Sequence, residues 1–318
     1  SVGGSLSFGY PIDENQNVSA SLGIDQTKVR TGPSVSTYIR DYLLANGGKP
    51  TGSGSWCPTG VNEKDIDQKD IPGTCKDGFK DYPSAFEGDF LTYNLNLGWS
   101  YNTLNRPIFP TSGMSHRVGL EVGLPGSDVD YQKLTYDAQA FKSLPKGFVW
   151  RGYGKLGYGN DLPFYKNFYA GGYGSVRGYD NSSLGPKYPS VIFQATGKND
   201  PDPEEVGGNA LIQFGTELAL PLPFKGDWTR QIRPVLFAEG AQVFDTQCSV
   251  PKGNILVGSS AVDIKQYCND NYKFDFSNMR YSVGAGFTWI TMIGPLSLSY
   301  AYPLNEKSGD NTKSIQFE

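Results

Sequence analysis

One histidine, three methionines and four cysteines occur in 318 residues, and no run of eighteen apolar residues is found among them. Lack of such a run excludes a transmembrane helix. It leaves open a membrane β-barrel, whose signal is alternation rather than mean hydropathy, here −0.41. A formal net charge of −4 and a pI near 5.2 provide no basic footprint, so no nucleic-acid partner is expected. Nothing resembles an interdomain linker, so one large domain is the simplest organisation. No signal peptide opens at Ser1, which implies that a leader was removed or that the chain is an excerpt.

Scarcity also bounds the chemistry. An outer-membrane hydrolase needs a serine beside a histidine, and the lone His116 lies on the apolar phase of its segment near a turn, where a structural role fits better. With no C-x-x-C spacing, a tetrahedral metal site is disfavoured, and the cysteines read as two local disulfides, Cys57 with Cys75 and Cys248 with Cys268, formed in an oxidising compartment. The carboxylates Asp200, Asp202, Glu204 and Glu205 sit in a proline-rich loop and read as a solvated run rather than a calcium site. No glycine loop follows a strand and opens a helix to hold phosphate, so no cofactor is called for.

What the chain has in abundance is glycine (40), tyrosine (20) and phenylalanine (18), a composition of turns and aromatics that points to an all-β fold. Val2, Gly4, Leu6, Phe8 and Tyr10 alternate with small or polar residues, and after a turn at 11–16 the pattern resumes at Val18, Ala20, Leu22 and Ile24, as in a hairpin with one apolar face. Alternation returns at Leu91–Tyr101 and near 115–124, 130–143, 148–158, 209–221, 233–245, 279–290, 295–302 and 312–318. The total is about eleven strands, commonly long enough to cross a bilayer at a tilt. A helix is predicted in the first long insertion, opening at Pro33 with Val35, Tyr38, Ile39, Tyr42 and Leu43 on one face and stopping at Gly47-Gly48.

Connections alternate in kind. Turns near 11–16, 103–113, 144–147, 222–232 and 291–294 are short to moderate, whereas loops at 29–88, 159–208, 246–278 and 303–311 are longer, with 125–128 a tight exception. Short turns at one end and long, extracellular loops at the other are the layout of an antiparallel transmembrane β-barrel of the bacterial outer membrane. Trp99, Tyr101, Phe148, Trp150, Tyr158, Trp289, Tyr300 and Tyr302 at strand ends would form its aromatic girdles. The non-apolar face is mostly Ser, Asn, Gly and Thr, which suits a wet lumen. An odd strand count conflicts with the even number of closed bacterial barrels, so strands are expected to be missing and the edge at Val2–Tyr10 to be open.

Asn167–Lys187, NFYAGGYGSVRGYDNSSLGPK, breaks the alternation. It is too aromatic for a disordered segment and reads as a loop folded inward, carrying Val176-Arg177-Gly178-Tyr179. A guanidinium removed from water needs carboxylates. Counting by twos from Ala210, Ile212 and Phe214 puts Glu217 on the lumen face with Gln213, and counting from Leu236 and Ala238 puts Glu239 there too. Either Glu239 and Glu217 hold Arg177, or they are ordinary wetted lumen residues.

The arginine loop, together with Val206-Gly207-Gly208-Asn209-Ala210, Phe109-Pro110-Thr111-Ser112-Gly113, Leu124-Pro125-Gly126-Ser127-Asp128 and Gly294-Pro295-Leu296 leading to Ser299-Tyr300-Ala301, resembles the barrel domain of the BamA family of outer-membrane protein assembly factors. The cysteine-bearing loops lie outside the match. The resemblance implies a barrel of about sixteen strands that folds and inserts other β-barrel proteins without ATP, through a weak seam between its first and last strands. On that pattern residues 1–318 form an incomplete barrel beginning at the sixth strand, without the periplasmic docking domains. Implied partners are nascent outer-membrane proteins as clients, accessory outer-membrane assembly lipoproteins and outer-membrane lipids. The family's pattern has an aspartate where Glu239 stands. A second class shares a similar arginine loop: the two-partner secretion pore, which exports polypeptide through its lumen.

Overall fold

The computed structural model describes residues 1–32, 35–53, 83–190, 203–223, 226, 231–248, 254–257, 260–292, 294–307 and 309–318. The chain runs β1 (Val2–Pro11), β2 (Gln16–Arg30), α1 (Thr37–Ala45), β3 (Lys49–Ser53), β4 (Pro83–Asn102), β5 (Gly113–Gly123), β6 (Gln132–Ser143) and β7 (Val149–Asn160). There follow the short β8 (Gly178–Tyr179), β9 (Lys187–Tyr188) and β10 (Glu204–Glu205), then β11 (Ala210–Ala219) and β12 (Ile232–Phe244). The last part holds β13 (Asn254–Val257), β14 (Ser260–Asp263), α2 (Ile264–Asn271), β15 (Arg280–Thr291), β16 (Gly294–Leu304), β17 (Thr312–Lys313) and β18 (Ile315–Phe317).

A single antiparallel sheet forms the wall, in the order β1-β2-β4-β5-β6-β7-β11-β12-β15-β16-β18, with β3 attached to β4. Each wall strand pairs with its sequence neighbour along this path, the up-and-down arrangement of a membrane barrel. Leu22, Ile24, Tyr93, Leu97, Leu134, Leu156, Phe214, Leu236 and Phe287 are exposed on alternate positions of successive strands. An exposed apolar surface this continuous fits lipid and not water. Trp150, Tyr158, Trp289, Tyr300 and Tyr302 are exposed in the same way near strand ends. His116 belongs to this outer surface: its ring stacks on Tyr136, with Nδ1 at 2.8 Å from the tyrosine hydroxyl.

Several sequence expectations need correction. β2 continues to Arg30, and Lys49–Ser53 extends the wall beside β4, because the pairing of Arg30 with Glu87 and of Lys49 with Glu87 carries the sheet beyond the expected loop boundary. The helix begins at Thr37 rather than Pro33, because the Ser36 hydroxyl accepts the Ile39 N–H as N-cap. A second loop helix, α2, was not anticipated; Asp263 caps it by accepting from the N–H groups of Lys265 and Gln266. Glu204 and Glu205 are not a solvated run: Glu204 accepts the Ser36 N–H at 2.7 Å, joining two separate loops, and Glu205 pairs with Lys187 at 2.9 Å within its own loop, while Asp200 and Asp202 lie outside the described residues. The final segment also divides. Only Ile315–Phe317 pairs with β16, while Thr312–Lys313 leaves the wall and pairs with Gly178–Tyr179.

The apolar core lies toward the long-loop end, where loop residues pack against wall residues such as Phe86, Phe90, Leu211 and Val243. Tyr38, Ile39 and Leu43 of α1 pack with Phe86, Phe90, Phe164, Tyr188 and Ile264. Tyr188 stacks on Tyr38 at 5.0 Å and meets Tyr272 edge-on at 5.5 Å. Segments from four separate parts of the chain thereby form one aromatic cap. Burial raises the pKa of the Tyr38, Tyr188 and Tyr272 phenols, which keeps these three rings neutral. The disulfide Cys248–Cys268 ties α2 to the end of the segment that follows β12. Cys57 and Cys75 lie outside the described residues.

Candidate functional site: an arginine loop on the lumen face

Three rows of side chains, one residue per strand, build the wall side of the site. Antiparallel register aligns Tyr153, Gly215 and Glu239 across β7, β11 and β12. The next row is Arg151, Glu217 and Phe237, and the row on the other side is Lys155, Gln213 and Ala241. All nine point to the lumen by the two-residue period of a strand. Gly215 has a structural purpose here: a Cβ on it would lie 2.4 Å from the Tyr153 ring, so its bareness lets the ring cross the row and donate its hydroxyl to Glu239. Gly284 does the same for Phe237, whose ring tip would lie 2.4 Å from an added Cβ.

The loop enters from the long-loop end, where Phe168 and Gly208 exchange backbone hydrogen bonds at 2.8 and 3.0 Å. Gly171, Gly172, Gly174 and Gly178 all have positive φ, the conformations that turn the tip back on itself. Ser175 and Gly174 then meet Gln213, the hydroxyl donating at 3.1 Å and the Gln213 amide returning a bond to the Gly174 carbonyl at 3.1 Å.

Arg177 is 3 % exposed, and Glu239 is equally buried. The Arg177 backbone N–H donates to Glu239 Oε2 at 2.8 Å, while its Nε donates to Oε1 at 2.9 Å and Nη2 reaches the same oxygen. Nη2 also donates to Glu217 Oε1 at 2.6 Å. Glu217 Oε2 in turn accepts from Arg151 Nη1 at 2.8 Å, and Arg151 continues to Gln139 at 3.1 Å. Two cations therefore balance two carboxylates, the condition that makes such burial tolerable. The Arg177 guanidinium lies 3.5 Å from the centre of the Phe237 ring. Burial opposes the charge on Arg177, but the Glu239 and Glu217 carboxylates outweigh it and raise the pKa above its ordinary value.

Val176 and Tyr179 flank this pair of contacts and are fully buried. The Tyr179 hydroxyl donates to the Leu304 carbonyl at 2.6 Å, and its own carbonyl accepts from Gln316 at 2.6 Å. Gly178, at φ +95°, brings the backbone against Ala301. The structure thus brings together Arg177, Glu217 and Glu239, and sets Gly178 and Tyr179 against the last strands. Sequence reasoning places Phe237 on the lumen phase beside Glu239 but missed its contact with the guanidinium, and it missed Tyr153 and Arg151; the signal that could have found those two is their parity with Glu217 in the adjacent strand.

The remaining long loops are also tied to the wall. Arg280 makes a two-point contact with Asp310 at 2.8 and 2.9 Å, and Lys187 donates to the Gly309 carbonyl at 2.7 Å. On the far side Lys166 and the Tyr131 hydroxyl share Glu121 Oε1 at 2.7 and 2.6 Å.

An antiparallel wall with a lipid-facing apolar surface and a polar face holding a folded-in loop is an outer-membrane β-barrel. The chain belongs to the Omp85 superfamily, whose domain is matched across residues 1–318. It is 31% identical over 344 residues to the outer membrane protein assembly factor BamA of Neisseria meningitidis serogroup B, a match covering 100% of this chain and 41% of that protein. It is 28% identical over 248 residues to the human sorting and assembly machinery component 50 homolog, covering 72% of this chain and 45% of that one. Among solved structures, BamA from Haemophilus ducreyi lacking POTRA domains 1-3 superposes with a TM-score of 0.73 at 28% identity, covering 99% of this chain and 53% of the other. The chain therefore spans less than half the length of these curated relatives.

Proposed function

We propose that this chain is the barrel of a machine that folds and inserts β-barrel proteins into the outer membrane. Its clients are nascent outer-membrane proteins, its surroundings are outer-membrane lipids, and accessory lipoproteins assemble with it. No nucleotide enters the reaction: the free energy comes from strand pairing and burial as the client closes in lipid. The observation that carries this reading is Arg177 fixed to Glu239 and Glu217, in a chain whose relatives are named as assembly factors. The Val176–Tyr179 stretch acts as a lock, holding one rigid surface inside a wall whose strands must otherwise yield to a client. A lumen that passes unfolded polypeptide, as in the two-partner secretion pore, must clear both this loop and the aromatic cap above it.

Reconstitution separates the two. Protein carrying this barrel, placed in vesicles of outer-membrane lipid without nucleotide, is expected to convert an added urea-unfolded client barrel to a protease-resistant, heat-modifiable form faster than empty vesicles do. Client folding no faster than in empty vesicles, with passage of an unfolded chain into the vesicle interior, would overturn the assembly reading in favour of the pore.

A further inference from the structure

The turn between β4 and β5 lies at the short-turn end of the wall and holds an uncommon conformation. Phe109 sits at φ +50°, a region that a bulky residue occupies only when its surroundings dictate it. Those surroundings are specific. The Asn105 side-chain oxygen accepts the N–H groups of Thr111 and Ser112 at 3.0 and 3.2 Å, and Ser143 donates to the Thr111 carbonyl at 2.9 Å. From across the lumen Arg233 donates to the Pro110 carbonyl at 3.0 Å and places its guanidinium 5.5 Å from the Phe109 ring centre. Among the described residues Arg233 forms no ion pair, so this turn is its principal partner.

From Arg233 a chain of contacts leads toward the arginine loop. The Phe141 ring lies between two guanidinium groups, 5.8 Å from Arg233 and 5.6 Å from Arg151. Arg151 also lies 4.3 Å from the Tyr153 ring, and the Tyr153 hydroxyl ends on Glu239. Each distance is within the range over which a cation is attracted to a ring face. Between turn and loop lies a cavity of about 180 Å³, with Phe109 and Pro110 on one side and Tyr173, Arg177 and Glu217 on the other. Space of that size lets either side shift without unfolding the wall.

We propose that the 104–112 turn is a latch at the short-turn mouth of the lumen, keyed by Arg233 and coupled to the Arg177 contact through the Phe141, Arg151 and Tyr153 side chains. Arg233 is a positioning residue: it acts through the turn and not on a client. Releasing the latch loosens the arginine loop, and releasing the loop loosens the latch, because coupling between two sites is reciprocal. A disturbance of the turn from the short-turn side is thereby relayed to the lumen.

Hydrogen exchange on the membrane-reconstituted protein tests this, following peptides that cover 104–113 and 171–180. Arg233→Gln is expected to speed exchange in 104–113 about tenfold through loss of a stacked cation and a hydrogen bond, and in 171–180 about fivefold through the coupling. Arg177→Ala must speed exchange in 104–113 in return. Phe109→Gly supplies a second variant should Arg233→Gln not fold: it removes the ring while easing the positive φ, so the wall is spared and exchange in 171–180 still rises. Ile108→Ala, on the exposed side of the turn, is the control and leaves both peptides unchanged. If neither Arg233→Gln nor Phe109→Gly alters 171–180, or if Arg177→Ala leaves 104–113 as in the parent, the proposed coupling is wrong.

Discussion

Glu239 holds Arg177 by both its backbone and its side chain: Oε2 accepts the peptide N–H at 2.8 Å and Oε1 accepts Nε at 2.9 Å. One carboxylate thus fixes both the position of the loop and the direction of the guanidinium. Removing the arginine leaves Glu239 buried without a cation, for which about 3–5 kcal/mol of local destabilisation is expected. Arg177→Ala should expose the 171–180 segment to protease while the wall stays intact. Arg177→Lys should recover only part of the protection, since a point charge cannot meet both carboxylates and stack on Phe237. Protection equal to the parent's in the alanine variant would refute the contact's importance.

Glu217 and Glu239 do not contribute alike. Glu239 receives three donors from Arg177, whereas Glu217 divides its two oxygens between Arg177 and Arg151. A double-mutant cycle should give a larger coupling for Arg177 with Glu239 than with Glu217, within the range of about 0.5–3 kcal/mol for residues in one network. Loop protection measured for the four variants of each cycle decides the order. A larger value for Glu217 would contradict the order that the contacts imply.

The reason these two carboxylates could be read from sequence is that strands have a two-residue period, and apolar residues flank each of them on the opposite phase, Phe214 and Leu218 around Glu217 in β11 and Leu236 and Ala238 before Glu239 in β12. In β7 that phase is blurred: Gly152 and Gly154 leave no apolar side chain to count from between Trp150 and Leu156, so the parity of Arg151 and Tyr153 is hard to read. β17 was illegible for a different reason. A two-residue strand that leaves the wall to pair with Gly178–Tyr179 depends on a contact about 130 positions away in sequence, which no local pattern encodes. Likewise the aromatic cap assembles from α1, Tyr188, Ile264 and Tyr272, each of which looks like isolated loop hydrophobicity until the loops converge.

Gly178 makes a sharper test of the loop's backbone. At φ +95° any side chain is strained, and a Cβ there would also come within 3.2 Å of the Ala301 methyl. Gly178→Ala should therefore cost about 1–2 kcal/mol from the left-handed conformation alone. It should weaken loop protection without touching the Arg177 side chain. Full protection in this variant would show that the loop can adopt another backbone path.

The disulfide makes a prediction about the cap. Cys248 and Cys268 are separated by 20 residues, and closing a loop of that size contributes about 3 kcal/mol by restricting the unfolded chain. Reduction should lower the stability of the α2 region and raise protease access to 264–272, leaving the wall unaffected. Non-reducing peptide mapping checks the pairing, and the same map tests the proposed Cys57–Cys75 bond. Cross-pairing between the two loops, or free thiols at 248 and 268, would contradict it.

The most direct measurement compares parent and Arg177→Ala protein in the same vesicles, following client folding and loop protection together. With Glu239 and Glu217 deprived of their cation, client folding is expected to slow in step with release of the 171–180 segment, and neither changes on adding nucleotide. A variant whose loop is released yet folds the client at the parental rate would contradict the assignment of Arg177 as the lock on which assembly depends.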